Sequence, residues 1–111
     1  MNSEAASKIV NLMQFARKAG KVISGADACL RALHARHLHL VVIAEDTAER
    51  TFKRISNATH ESGSDLPIYR IWTIATLSAA LGLPLTGVYG VTDRQFAAKM
   101  REYHSTAEVE E

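Results

Sequence analysis

A chain of 111 residues, 47% of them hydrophobic, has room for one compact domain with one core and is too apolar for intrinsic disorder. The formal net charge of +1 excludes a histone-like coat of positive charge, and no apolar run approaches the roughly 20 residues of a bilayer-spanning helix. The single Cys29 excludes an internal disulfide and a Cys-based zinc site, which fits a reducing compartment. Met1-Asn2-Ser3-Glu4 lacks the basic-then-apolar pattern of a signal peptide, so a soluble, cytoplasmic protein is expected. Charge is distributed unevenly. Through Arg36 the cations are Lys8, Arg17, Lys18, Lys21, Arg31 and Arg36 against Glu4 and Asp27, whereas the last ten residues carry Glu102, Glu108, Glu110 and Glu111 and no Lys or Arg.

Ser3 can cap a first helix whose apolar positions Ile9, Leu12, Met13 and Ala16 recur at helical spacing, and Gly20 ends it. Val22 and Ile23 make a short strand. Ser24 and Asp27 have capping-box spacing for a second helix, Ala26 to about Ala35, with Ala26, Cys29, Leu30 and Leu33 inward and Asp27, Arg31 and His34 together on an outer face. Leu40-Val41-Val42-Ile43-Ala44 reads as a central strand covered on both sides. After Glu45-Asp46-Thr47, with Asp46 as the cap, a charged helix runs to about Glu61, with Phe52, Ile55 and Thr59 inward and Arg50, Lys53 and Arg54 outward. Ser62-Gly63-Ser64-Asp65 is a turn, and Pro67 leads into a strand at Ile68-Tyr69-Arg70-Ile71. Thr73 caps a short helix to Leu81 that Gly82 terminates in the left-handed region. Leu83 to Gly87 is a loop before the strand Val88-Tyr89-Gly90-Val91. Thr92 and Gln95 form a capping box for a last helix with Phe96, Ala97 and Met100 inward, and residues 105–111 are an acidic tail expected to fray. Alternating helices and strands predict an α/β protein, a three-layer α/β/α sandwich around a small, mostly buried sheet, with residues 1–104 as its single domain.

The stretch Arg17 to Arg31 concentrates the functional signal. A helix start after Gly25 presents unpaired N–H groups and a partial positive charge, next to basic side chains that attract nucleic-acid backbone. Gly20 and Gly25 allow close approach of backbone to a ligand. Residue by residue, the same features also read as turn glycines, an Asp27 that caps its helix and pairs with Arg31, and solvated Lys18 and Lys21.

Three segments, Gly20-Lys21-Val22-Ile23-Ser24-Gly25-Ala26-Asp27, Leu40-Val41-Val42-Ile43-Ala44-Glu45-Asp46 and Leu81-Gly82-Leu83, resemble in order and spacing the ribosomal protein L-seven-Ae / L-thirty-e family of kink-turn RNA binders, from about Ile9 to Met100. Short bacterial-type members are the nearer likeness. The resemblance implies a four-stranded mixed sheet and an RNA-binding role without catalysis, in a ribosomal or other ribonucleoprotein context. It implies that positions Gly25 to Arg31, Ala26 and Ala28 among them, enter the kinked RNA and read sheared G·A pairs. Gly25 would approach the RNA backbone, Asp27 a guanine edge, and Lys21 and Arg31 phosphate or base, with Arg17 and Lys18 adding affinity. Leu83, Pro84, Leu85 and Thr86 would form an apolar platform for a splayed nucleotide, Leu85 foremost. Where kink-turn readers typically carry Asn then Glu, this chain has Asp27 then Ala28. An ionised Asp only accepts and is repelled by phosphate, and Ala28 offers no polar side chain, so general RNA binding is better supported than strict kink-turn specificity.

Other constellations carry less. His34, His37 and His39 suggest a metal, but no Cys or fixed third ligand accompanies them, and a helix C-terminus also favours histidine. Cys29 lies on an apolar stripe, which points to burial rather than nucleophilic duty. Gly20 to Gly25 fits neither the dinucleotide fingerprint nor the Walker loop, and no cofactor is implied. Trp72 and Ile74 would form an apolar patch for a protein partner if both were exposed. That patch, with Asp27 and Ala28, supports the alternative of a protein-interaction module that keeps this fold without specific RNA readout.

Overall fold

The computed structural model describes residues 3–64 and 66–110, with side chains through Thr106. Helices and strands alternate: α1 (Ser3–Lys18), β1 (Val22–Ser24), α2 (Ala26–His34), β2 (Leu40–Ile43), α3 (Glu49–Glu61), β3 (Ile68–Arg70), α4 (Ile74–Leu81), β4 (Val88–Val91) and α5 (Arg94–Glu110). The four strands form one mixed sheet in the order β1-β4-β2-β3. Strand β4 is antiparallel to β1 and β2, and β2 is parallel to β3.

Alternation along the strands sorts the core into two halves. Leu40, Val42, Tyr69, Tyr89 and Val91 point to one face, where α1, α4 and α5 cover them with Ile9, Met13, Leu77, Leu81, Ala97 and Met100. Val41, Ile43 and Val88 point to the other, under Cys29 and Leu33 of α2 and Ile55 of α3. All four residues of β2 are buried, which is why its sequence is continuously apolar rather than alternating. Each such aliphatic side chain contributes roughly 1.5–3 kcal/mol by leaving water. The arrangement is the expected three-layer α/β/α sandwich with a four-stranded mixed sheet.

Helix ends depart from the sequence reading in three places. Ser24 does not cap α2: the N-cap is Gly25, and no side chain bonds to that helix start. Asp46 caps α4 instead of α3, its Oδ1 accepting the Ile74 N–H at 2.8 Å, while α3 begins after Ala48 without a side-chain cap. Asp93, not Thr92, caps α5 by accepting the Phe96 N–H at 2.9 Å. Thr73 and the left-handed Gly82 bound α4 as expected. Helix α5 continues to Glu110, so the backbone is helical beyond Ser105, where fraying is expected. Asp65 of the anticipated turn and the side chains of Glu108, Glu110 and Glu111 lie outside the described residues. No described helix is long and apolar enough to cross a membrane.

Candidate nucleic-acid interface

The carbonyl of Val88 joins two segments that are far apart in the chain. It accepts the Gly25 N–H at 2.9 Å and the Thr86 hydroxyl at 2.9 Å. The β1–β4 register produces this, because pairing Ser24 with Tyr89 sets Gly25 beside Val88. The start of α2 and the loop before β4 are therefore adjacent at one end of the sheet.

Gly25 adopts φ 98° and ψ 145°, a conformation that side-chain-bearing residues rarely take. Its carbonyl accepts the Cys29 N–H at 3.1 Å, which starts the helix. Helix geometry leaves the N–H groups of Ala26, Asp27 and Ala28 without intrahelical partners, and glycine supplies no cap. Ala26 and Ala28 are half-buried, while Asp27 and Arg31 face outward one turn apart. Asp27 pairs with Arg54 of α3, not Arg31, with its Oδ1 2.8 Å from the guanidinium. Sequence reasoning placed Arg54 only on an outer helix face. Its proximity to Asp27 follows from the packing of α3 on α2.

The loop has its own supports. The Tyr89 hydroxyl donates to the Pro84 carbonyl at 3.0 Å and lies 2.6 Å from Ser78 Oγ. A phenol has one proton, so Ser78 donates to the Tyr89 oxygen. Thr86 also accepts the Val88 N–H at 3.2 Å. Gly87, at φ 75°, accepts both the Ala44 N–H at 2.8 Å and the Thr47 hydroxyl at 3.2 Å. A Cβ there would overlap the Thr47 hydroxyl and come within 3.2 Å of Ile74. On this fixed turn Leu85 stands 73% exposed, with Pro84 exposed and Leu83 half-buried against the core. Tyr89, Ser78 and Thr47 hold the loop, and only the alternation that turns Tyr89 inward is visible in sequence.

The remaining candidates lie elsewhere. Gly20 is the left-handed residue after α1: its N–H donates to Arg17 and the Lys21 N–H to Ala16, a Schellman ending. Lys21 thus sits at the end of β1 opposite Gly25. Arg17 reaches the Gly82 carbonyl at 3.3 Å and, with Gln14 and Lys18, lines a groove of about 340 Å³ against the C-terminal turn of α4. Cations suit that end of a helix. Trp72 and Ile74 are half-buried and pack against the core, with Trp72 at φ 55° and its carbonyl accepting the Glu45 N–H at 2.7 Å. Cys29 is fully buried, and burial pushes its thiol up to about 12. Among the described residues no three His, Cys, Asp or Glu side chains are grouped to hold a metal ion.

This sheet order, with helices α1, α4 and α5 on one face and α2 and α3 on the other, defines a small α/β/α protein with a helix start and a hydrogen-bonded loop on one rim. The chain belongs to the ribosomal protein L7Ae/L30e/S12e/Gadd45 family, whose model matches residues 7–100. It is 28% identical over 102 residues to the RNA-binding protein YlxQ of Enterococcus faecium, spanning 92% of this chain and 96% of that one. The RNA-binding protein YlxQ of Bacillus subtilis (strain 168) is 28% identical over 89 residues, 80% of this chain and 87% of its own. Two solved structures share the fold. A protein of unknown function from Bacillus halodurans superposes with a TM-score of 0.79 at 22% identity, covering 86% of this chain and 95% of that one. The Giardia lamblia 15.5kD RNA binding protein gives 0.78 at 20% identity, covering 98% and 92%.

Proposed function

We propose that the chain is a non-catalytic, cytoplasmic RNA-binding protein whose rim, built from Gly25 to Ala28, Arg31, Arg54 and the loop Leu83 to Thr86, receives a folded RNA in a ribosomal or other ribonucleoprotein context. The observation that carries this reading is the shared Val88 acceptor, which fuses an uncapped helix start and an exposed apolar loop into one surface. Open N–H donors and a helix dipole suit phosphate, and the exposed Leu85 suits an unstacked base. The two curated relatives bear RNA-binding names, which supports the same partner class.

Within this reading the partner is folded RNA in general, and a kink-turn, the RNA shape that the resemblance implies, is the form to test first. Asp27 can accept from guanine amino groups, and the nearby Arg54 offsets its charge against phosphate. Trp72 and Ile74 are half-buried against the core, which leaves the rival protein-docking reading a smaller apolar patch and supports the RNA reading over it. The test is a titration of a kink-turn RNA at several salt concentrations. Arg31→Glu combined with Arg54→Ala should weaken binding and flatten the dependence on salt. An unchanged slope would contradict the assignment.

A further inference from the structure

Basic residues that are neighbours in sequence occupy two ends of β1. Three residues of extended backbone, Val22 to Ser24, separate Lys21 from Gly25, a span of about 13 Å. The chain reaches the Lys21 end from the last turn of α1, which carries Arg17 and Lys18, with both side chains lining the groove against α4, and Arg94 opens the first turn of α5 two residues after Thr92. The Thr92 N–H donates to the Lys21 carbonyl at 2.9 Å and brings α5 to this corner. Among the described residues, no carboxylate lies within 4.0 Å of Lys18, Lys21 or Arg94. The adjacent Asp93 is spent on capping α5.

Two side chains here make no hydrogen bond or ion pair among the described residues. Arg94 opens α5 where the helix dipole disfavours a cation, and the only described acid at that turn is the capping Asp93, whose carboxylate bonds to the Phe96 N–H and not to Arg94. Phe15 stands 64% exposed, one helical turn from Lys18. The strand between the two ends is also open. Strand β1 lies at the edge of the sheet, and its inward bonds fall at Lys21 and Gly25. By antiparallel alternation the N–H and C=O groups of Val22 and Ser24 point off that edge.

We propose that the β1 edge is a second RNA contact: a single-stranded segment leaving the rim runs along it, with phosphates on Lys18, Lys21 and Arg94 and one base stacked on Phe15. This rests on the RNA-binding reading above and adds single-stranded flanking sequence to the ligand. Cations that track a backbone beside an exposed aromatic ring suit single strands with little sequence preference.

Three probes test it: a blunt kink-turn RNA, the same RNA with a short oligouridine tail, and the oligouridine alone. Binding is followed by anisotropy and by amide shifts of isotope-labelled protein. The tail should tighten binding about five- to tenfold at low salt. Lys18→Glu with Lys21→Glu and Arg94→Glu should bring the ratio of tailed to blunt affinity to about one, and Phe15→Ala should lower it while Phe15→Trp keeps it. Thermal midpoints within about 3 °C of the parent establish that the variants fold. Should the triple variant fail this check, the Phe15 pair decides. Blunt RNA that binds with no gain from the tail overturns the inference and leaves the rim reading intact. If blunt RNA does not bind but oligouridine still shifts the Phe15 to Lys21 amides, the kink-turn reading fails and the edge contact stands. Amides that ignore oligouridine yet shift with an oligoglutamate peptide would make this an acidic-protein surface, and the inference would be wrong.

Discussion

The Asp27 carboxylate lies 2.8 Å from the Arg54 guanidinium, tying the first turn of α2 to α3. Both side chains remain open to water, 74% for Asp27 and 54% for Arg54. An ion pair so exposed contributes about 0–1 kcal/mol to the fold. Its consequence is electrostatic, because it sets a cation beside the one acid on the proposed rim and can exchange that acid for phosphate.

Arg54→Ala should therefore leave stability within about 1 kcal/mol while weakening RNA binding several-fold and reducing the salt slope by about one phosphate contact. Asp27→Asn, which adds a donor and removes a charge, should tighten binding to an RNA with sheared G·A pairs. Affinity titrations across salt, with urea denaturation of each variant, check both. Unaltered affinity in both variants would place the RNA elsewhere.

Leu85 offers a cleaner separation of folding from function. A leucine 73% exposed contributes little to the core, so Leu85→Ala should change unfolding free energy by less than about 0.5 kcal/mol. If an unstacked base rests on it, RNA affinity should fall by roughly three- to tenfold. A stability loss without an affinity loss would make the loop structural only.

Gly87 tests how the rim is held. Alanine there meets both a left-handed backbone and the buried Thr47 hydroxyl, so Gly87→Ala should cost about 2 kcal/mol or more, read as a lower urea midpoint. A Thr47→Ala background removes the overlap but not the backbone strain, and should recover only part of the loss.

These effects show what sequence could and could not convey. The unbroken apolar run of β2, the Thr73 cap and the Gly82 terminator were legible because each depends on neighbouring residues alone. From sequence alone Asp46 reads as the cap of α3, because its partner Ile74 is brought near only by the parallel pairing of β2 with β3. The same limit hid Arg54 from Asp27. It also made Lys21 and Gly25 look like one cluster, although a strand between them carries the chain from one end of the sheet to the other. Gly25 and the loop at Leu83 to Thr86 were separate expectations, and only the register of β1 on β4 makes them adjacent.

The most direct test of that adjacency is an amide-shift map of the isotope-labelled protein during titration with a kink-turn RNA. Signals of Gly25 to Ala28 and of Leu83, Leu85 and Thr86 should move together and saturate at the same RNA concentration, with proline silent. Shifts confined to one segment, or centred on Trp72 and Ile74, would contradict a single RNA-binding rim.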